Sequence, residues 1–478
     1  MSFLEALPGE VLLLIVSFLE VPEIHILRQT CCKISQVTRD KSVWLEFLEY
    51  LRRRGDTPLP PIACDPAVPA IDLSSSSLES IGVSATRASD SWLLPREPTC
   101  IMPPNGEVVA GLNVFLDTWL LIVYLSGHVY LWNIRENVPR QRAALDLRAP
   151  GVGWSSYSAY MAHRDKVIML AMSNTAQSGT CNTVLYKIDA RETDIGFDLV
   201  GSFSCDYPRT IRAIDVEHRL LVLTSVSTLD MVCWDPQDNN TSRISLNDDE
   251  ELFNGVVAVS RLGSHFLVIR THTIELHSCG DATKREPRTP PKHWLPFPLR
   301  EGAVSVSDAL TTQTPDSQEA HNVCLLAYDS HSLTIYTVTI TMFAGEPPTM
   351  EVTLAGQMRP APPQVQSRGP PFRLTRSHWF VSTHALGPQA IRAMWIERDS
   401  LTMTRQVRLC TFNRNAAWHE MKTAASVFTL ASYDLREDLT QCALAEVSGR
   451  IVLGNRAGAV FLLAPTRPLE RAAQSELH

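Results

Sequence analysis

Seven times between Trp119 and Leu463 the chain places two short apolar runs on either side of a turn. They are WLLIVYLSGHVYLWNI from Trp119, VIMLAMSNTAQSGTCNTVLYKI from Val167, RLLVLTSVSTLDMVCW from Arg219, HFLVIRTHTIELH from His265, VCLLAYDSHSLTIYTV from Val323, IRAMWIERDSLTMTRQVRLCTF from Ile391 and RIVLGNRAGAVFLL from Arg450. Each run has the length and composition of a β-strand, and each pair reads as a hairpin. The mean spacing is about 55 residues, within reach of four-stranded sheet units arranged around an axis. An open row of such hairpins would expose strand edges that invite aggregation, whereas a closed ring leaves only short protected ones.

The expected fold class is therefore α+β multidomain: an N-terminal helical module followed by a mainly β domain over 99–478, a degenerate seven-bladed β-propeller. The alternative is two β-sandwich-like domains, because seven hairpins exceed one ordinary sandwich. SGHVYLW and NRAGAVFLL resemble the inner strands of WD-repeat blades, and Trp132-Asn133 and Trp234-Asp235 echo the Trp-Asp dipeptide of that family. Two proline-rich stretches, REPRTPPKHWLPFPLRE and RPAPPQVQSRGPPFR, fall between repeats and read as surface loops.

The first 54 residues follow different rules. Leu7-Pro8-Gly9-Glu10 suits a helix start, with proline at the first helical position and Glu10 near the positive end of the helix dipole. In the VLLLIVSFLE run that follows, apolar side chains point in nearly every direction around a helix. A module this small cannot bury all of them, so a partner is expected to cover the surplus. A second helix is expected from about Pro22 to Cys32, with Ile24, Leu27 and Cys31 on one face. A third, capped by Asp40, aligns Trp44, Phe47, Leu48 and Leu51 and stops at Gly55, with Arg52, Arg53 and Arg54 as favourable C-terminal charges.

The stretch LPGEVLLLIVSFLEVPEIHILRQTCCKISQVTRDKSVW resembles the F-box almost end to end. It carries the Leu-Pro-x-Glu opening, the apolar run through Leu19, the Leu27-Arg28 pair, the step at Cys32 and Lys33, and the closing Asp40 and Trp44; Glu23-Ile24-His25 departs from the acidic-leucine pair common there. The resemblance, to F-box proteins of fungal type with a WD-repeat-like propeller, implies docking onto the Skp-type adaptor of an SCF-type cullin-RING ubiquitin ligase. It implies adaptor-binding positions at Leu7, Pro8, Glu10, Val11, Ile15, Leu19, Leu27, Cys31 and Trp44, of which Leu27 and Trp44 serve mainly to hold the helices together. It also implies a three-helix module over 1–54, joined through 55–98 to the propeller. Proline density in DTPLPPIACDPAVPA makes the start of that linker a semi-rigid spacer, and spacing of Leu78, Ile81, Ala85, Ala88 and Trp92 predicts a helix near 76–92.

Composition excludes several classes. With 43 Lys and Arg against 51 Asp and Glu, the net charge of -8 gives no general grip on nucleic acid or an anionic membrane. Eleven cysteines lack any CxxC pair, which fits a reducing compartment, cytoplasmic or nuclear. The Val11–Leu19 run follows Glu5 and Glu10 rather than basic residues and is too short to span a bilayer, so neither a secretion signal nor an anchor is expected.

No phosphate loop, GxSxG elbow or HExxH motif appears. His272, His277 and Cys279 cluster in sequence, but strand alternation separates the histidines, so no metal or other cofactor is expected. Glu446 with His419, and Asp434 with Asp438, could be read as acid-base pairs, but carboxylates are common on loops and no geometry singles these out. The expectation is a non-catalytic substrate adaptor. A non-degradative scaffold and a propeller-borne hydrolase are the alternatives.

Overall fold

The computed structural model describes residues 7–19, 21–30, 32–38, 44, 48, 58–59 and 98–464, the last span without 103–106, 136–137, 150–151, 163–165, 176–178, 192–193, 206–207, 226–227, 236–240, 247–252, 280–289, 308–318, 330–331, 344–346, 359–378 and 413–424. Cys31, Asp40, Phe47, Leu51, the arginine run, the helix expected near 76–92, His419 and all of the second proline-rich stretch lie outside the described residues.

Three short helices open the described chain: α1 (Gly9–Ser17), α2 (Val21–Thr30) and α3 (Cys32–Val37), with residues 44 and 48 also helical. Pro8 stands just before α1 rather than inside it, and its carbonyl accepts the first helical bond from Leu12 N at 3.1 Å. The second helix is described to Thr30 and α3 from Cys32, with residue 31 between them outside the described residues. Ile34 of α3 and Leu12 of α1 form the centre of a small core with Leu7, Leu27 and Val37 against it.

The remainder is a seven-bladed β-propeller. Six four-stranded antiparallel sheets follow in chain order: blade 1 (109–146), blade 2 (154–205), blade 3 (210–245), blade 4 (256–294), blade 5 (301–358) and blade 6 (379–431). Blade 7 takes three strands from 439–463 and its outermost from Thr99–Ile101, which pairs with Val460–Leu463. Closure is thus made by the two ends of the domain hydrogen-bonding to each other. Every predicted hairpin is the second and third strand of one blade, and the two-sandwich alternative is ruled out.

Seven hydrophobic cores join the blades, each between neighbours. In blade 1, Leu121 and Val123 meet Ile168 and Leu170 of blade 2, whereas Leu120, Ile122 and Tyr124 meet Val452 and Val460 of blade 7. The other five cores repeat this scheme from blade 2 to blade 7. A strand sandwiched on both faces needs apolar residues at every position, as in buried parallel sheets, and this is why the middle strands read as unbroken apolar runs.

First strands neighbour one another around the axis, and fourth strands form the rim. In every blade except blade 5 the first strand bulges by one residue against the second, as between Val109 and Gly111 or Val381 and Thr383. This alternating order gives the domain two distinct faces. Turns from first to second and from third to fourth strand lie on one face, where the chain also arrives at Thr99; we term it the tether face. Second-to-third turns and blade-to-blade crossings lie on the other, the crossover face. Among the described residues no helix is long and apolar enough to cross a membrane.

Candidate functional site

Two surfaces merit attention, one on each part of the chain. In α1, Leu12 and Val16 stand one turn apart and point inward, where Ile24, Ile34, Trp44 and Leu48 are also buried. The opposite side of α1 then has to face outward although it is equally apolar. Leu14 is 61% exposed and Phe18 82%, with Val11 and Pro8 beside them and Ile26 of α2 exposed as well. Such a stripe leaves apolar area in water that the module has no residues to cover.

Of the positions expected to bind the adaptor, Pro8, Glu10 and Val11 are exposed and Leu7, Ile15 and Leu19 half-buried. Cys31 lies outside the described residues. Leu27 is half-buried against Leu12 and Ile34. Trp44 is only 1% exposed, with its indole Nε1 donating to Thr38 O at 2.9 Å, so it is a core residue and presents no surface. Sequence reasoning passed over Leu14, Phe18 and Ile26, because in an all-apolar run periodicity cannot say which side faces out. Lys33 Nζ donates to Leu7 O at 2.6 Å and fixes the chain as it enters α1.

On the propeller, large exposed apolar side chains gather on the crossover face: Phe253, Trp294, Phe297, Leu401, Tyr433 and Leu435. Their loops are held by polar networks. Asp438 is buried and accepts from Arg405 Nε at 2.7 Å and Arg398 Nη1 at 2.5 Å, while Arg405 Nη1 bonds Met403 O and Ser432 O. These bonds brace the segment that carries Tyr433 and Leu435. Asp434 accepts from Arg436 N at the start of a 3-10 turn (Leu435–Glu437), and the Arg436 side chain holds its carboxyl below the usual range.

A second network supports Phe253 and Trp294. Asn254 Nδ2 donates to Thr273 Oγ1 at 3.0 Å, and Asn254 Oδ1 accepts from His272 N at 2.8 Å. Glu275 accepts from Thr273 Oγ1 at 2.7 Å and lies 3.0 Å from His277 Nε2. Burial pushes its carboxyl up, but hydrogen bonds from His277 and Thr273 and the charge of Arg270 outweigh that and hold it at about 2. Lys292 Nζ lies 4.3 Å from the centre of the Trp294 ring. Among the described residues no group of His, Cys, Asp and Glu is arranged to hold a metal ion. Glu446 is fully buried and accepts from three backbone N–H groups, and Asp434 and Asp438 are each bound to arginine, so these carboxylates have structural partners.

Residues 4–48 match the F-box-like family model. The matched stretch carries the exposed α1 stripe and spans all the described helical positions of the N-terminal module. Among solved structures the chain is similar to the C-terminal WD40 domain of Sif2, at 9% identity and a TM-score of 0.45, covering 78% of this chain and 98% of that one. No curated protein sequence matches the chain. An F-box-like module joined to a propeller fits a substrate-recognition adaptor, and suggests a chain that binds rather than catalyses.

Proposed function

We propose that this protein is the substrate-recognition subunit of an SCF-type cullin-RING ubiquitin ligase. The F-box-like module docks onto a Skp-type adaptor, and the propeller holds the protein to be ubiquitylated. The observation that carries the reading is the uncovered stripe of Pro8, Val11, Leu14 and Phe18 on a module whose family generally binds such adaptors. Burying it on a partner supplies the apolar contact that the module itself cannot make. The chain contributes proximity rather than chemistry: tethering target and ubiquitin-carrying enzyme in one assembly raises their effective concentration. Its place of work on this reading is the cytoplasm or nucleus.

Purified Skp-type adaptor, tested for binding to the full chain and to a Leu14→Ala/Phe18→Ala variant, checks the first half. Binding by the wild type and loss in the folded variant is the expected result, and a wild type that does not bind overturns it. Ubiquitylation of proteins captured by the propeller, in a reconstituted ligase, checks the second half. Captured partners that are never modified would point instead to a scaffold.

A further inference from the structure

Leu59 belongs to the segment that joins the F-box-like module to the propeller, roughly 40 residues before the first propeller strand at Thr99–Ile101. It is nevertheless bound to the propeller. Leu59 N donates to Gln389 Oε1 at 2.9 Å, and Gln389 Nε2 donates to Leu59 O at 2.5 Å. One side-chain amide thus engages both main-chain groups of one residue, as a neighbouring strand would. Pro58 and Leu59 are both buried, Leu59 to 8% exposure.

The turn that offers Gln389 is built with unusual care. Glu446 of blade 7 reaches under it, accepting from Gln389 N at 2.6 Å, Ile391 N at 2.7 Å and Arg392 N at 2.9 Å. Ser305 of blade 5 donates to Pro388 O at 2.5 Å. A Cβ on Gly387 would come within 2.2 Å of the Glu446 carboxyl carbon, so the backbone wraps that group at a distance only glycine permits. Joining two strands requires none of this, and withdrawing a carboxylate from water is costly. Three blades therefore fix a turn whose one outward amide faces the tether.

We propose that the 387–391 turn is an anchoring site for the chain's own tether, receiving the backbone at Leu59 and fixing where the N-terminal module leaves the propeller. The anchor lies on the tether face, opposite Phe253, Trp294, Phe297 and Tyr433. It also sets the reach of the module. From Leu48 to Leu59 the chain spans at most about 40 Å, whereas from Leu48 to Thr99 it could span about 180 Å. Anchoring reduces the volume that the N-terminal module can sweep, whichever partner that module takes.

Amide hydrogen exchange on the full chain tests this. Leu59 N–H is expected to be protected in the wild type and to lose about thirty-fold of that protection in Gln389→Ala, the equivalent of two neutral hydrogen bonds. Protection in the blade strands should stay unchanged, which separates loss of the anchor from unfolding. A Leu59→Pro variant removes the donor from the tether side at a residue that belongs to none of the cores between blades; its radius of gyration by small-angle scattering should exceed that of wild type. A Leu59 amide that exchanges freely in the wild type, equal protection in Gln389→Ala, or an unchanged radius in Leu59→Pro would each overturn the proposal. None of these readouts requires the adaptor, so failure here leaves the ligase reading standing, and the converse holds.

Discussion

Replacing Leu14 and Phe18 together by alanine should separate binding from folding in the F-box-like module. In the free protein these side chains are 61% and 82% exposed, so truncating them removes little packing and should change stability by no more than about 0.5 kcal/mol. Full burial of such a side chain contributes about 1.5–3 kcal/mol. Scaled by the exposed fractions, covering both on a partner is worth about 2–4 kcal/mol, so the double variant should bind a Skp-type adaptor roughly 30- to 1,000-fold more weakly. Titration calorimetry measures the affinity, and circular dichroism confirms the helices. Trp44→Ala supplies the contrast: it empties a buried site and breaks the bond to Thr38 O, so about 3–5 kcal/mol is lost and the module should unfold. A folded Leu14→Ala/Phe18→Ala protein with affinity within about threefold of wild type would refute the reasoning, because the exposed stripe would then have no part in docking.

Glu275→Gln should lower the melting temperature at pH 7, with a loss of about 1–3 kcal/mol as its charge-assisted bonds weaken. The native carboxyl titrates well below its ordinary value, so its contribution is complete above about 4.5 and fades as pH falls toward 2; the gap between wild type and variant should narrow over that window. Gly387→Ala forces a methyl group into the Glu446 carboxyl and should cost about 1–3 kcal/mol in urea unfolding. Leu170→Ala, in the core between blades 1 and 2, should cost about 2–5 kcal/mol, whereas Leu199→Ala on the exposed fourth strand of blade 2 should stay within about 0.5 kcal/mol.

The architecture was legible wherever burial is two-sided. Strands such as Trp119–Tyr124 and His265–Arg270 are apolar along their length because they lie between two blades, and their hairpins revealed both the period and the number of blades. Fourth strands such as Arg140–Asp146 and Thr241–Ser245 face solvent and read like loops, and bulges in the first strands break the alternation that would announce them. Thr99–Ile101 is three residues long and has no pattern of its own; only its partner strand defines it. In the helical module the difficulty is reversed. With Val11 to Val16 of α1 apolar without a gap, the sequence signals a partner but not which of Leu12, Leu14, Val16 and Phe18 meets it. Gln389 is a single amide in a turn, and its role depends on Leu59 and Glu446, which are remote in the chain.

Because the closing strand comes first and its partner last, the propeller cannot complete itself during synthesis until nearly all of it has been made. Thr99–Ile101 waits for Val460–Leu463, across roughly 360 residues of chain, and this pairing is among the most non-local contacts the domain makes. The helical module has no such delay, since its core joins residues such as Leu12 and Ile34. At a translation rate of about 5–20 residues per second, the module has emerged tens of seconds before the ring can shut. A partner of the N-terminal helices could therefore be bound while the open propeller still exposes unpaired blade surfaces, the stage at which this chain is most prone to aggregate.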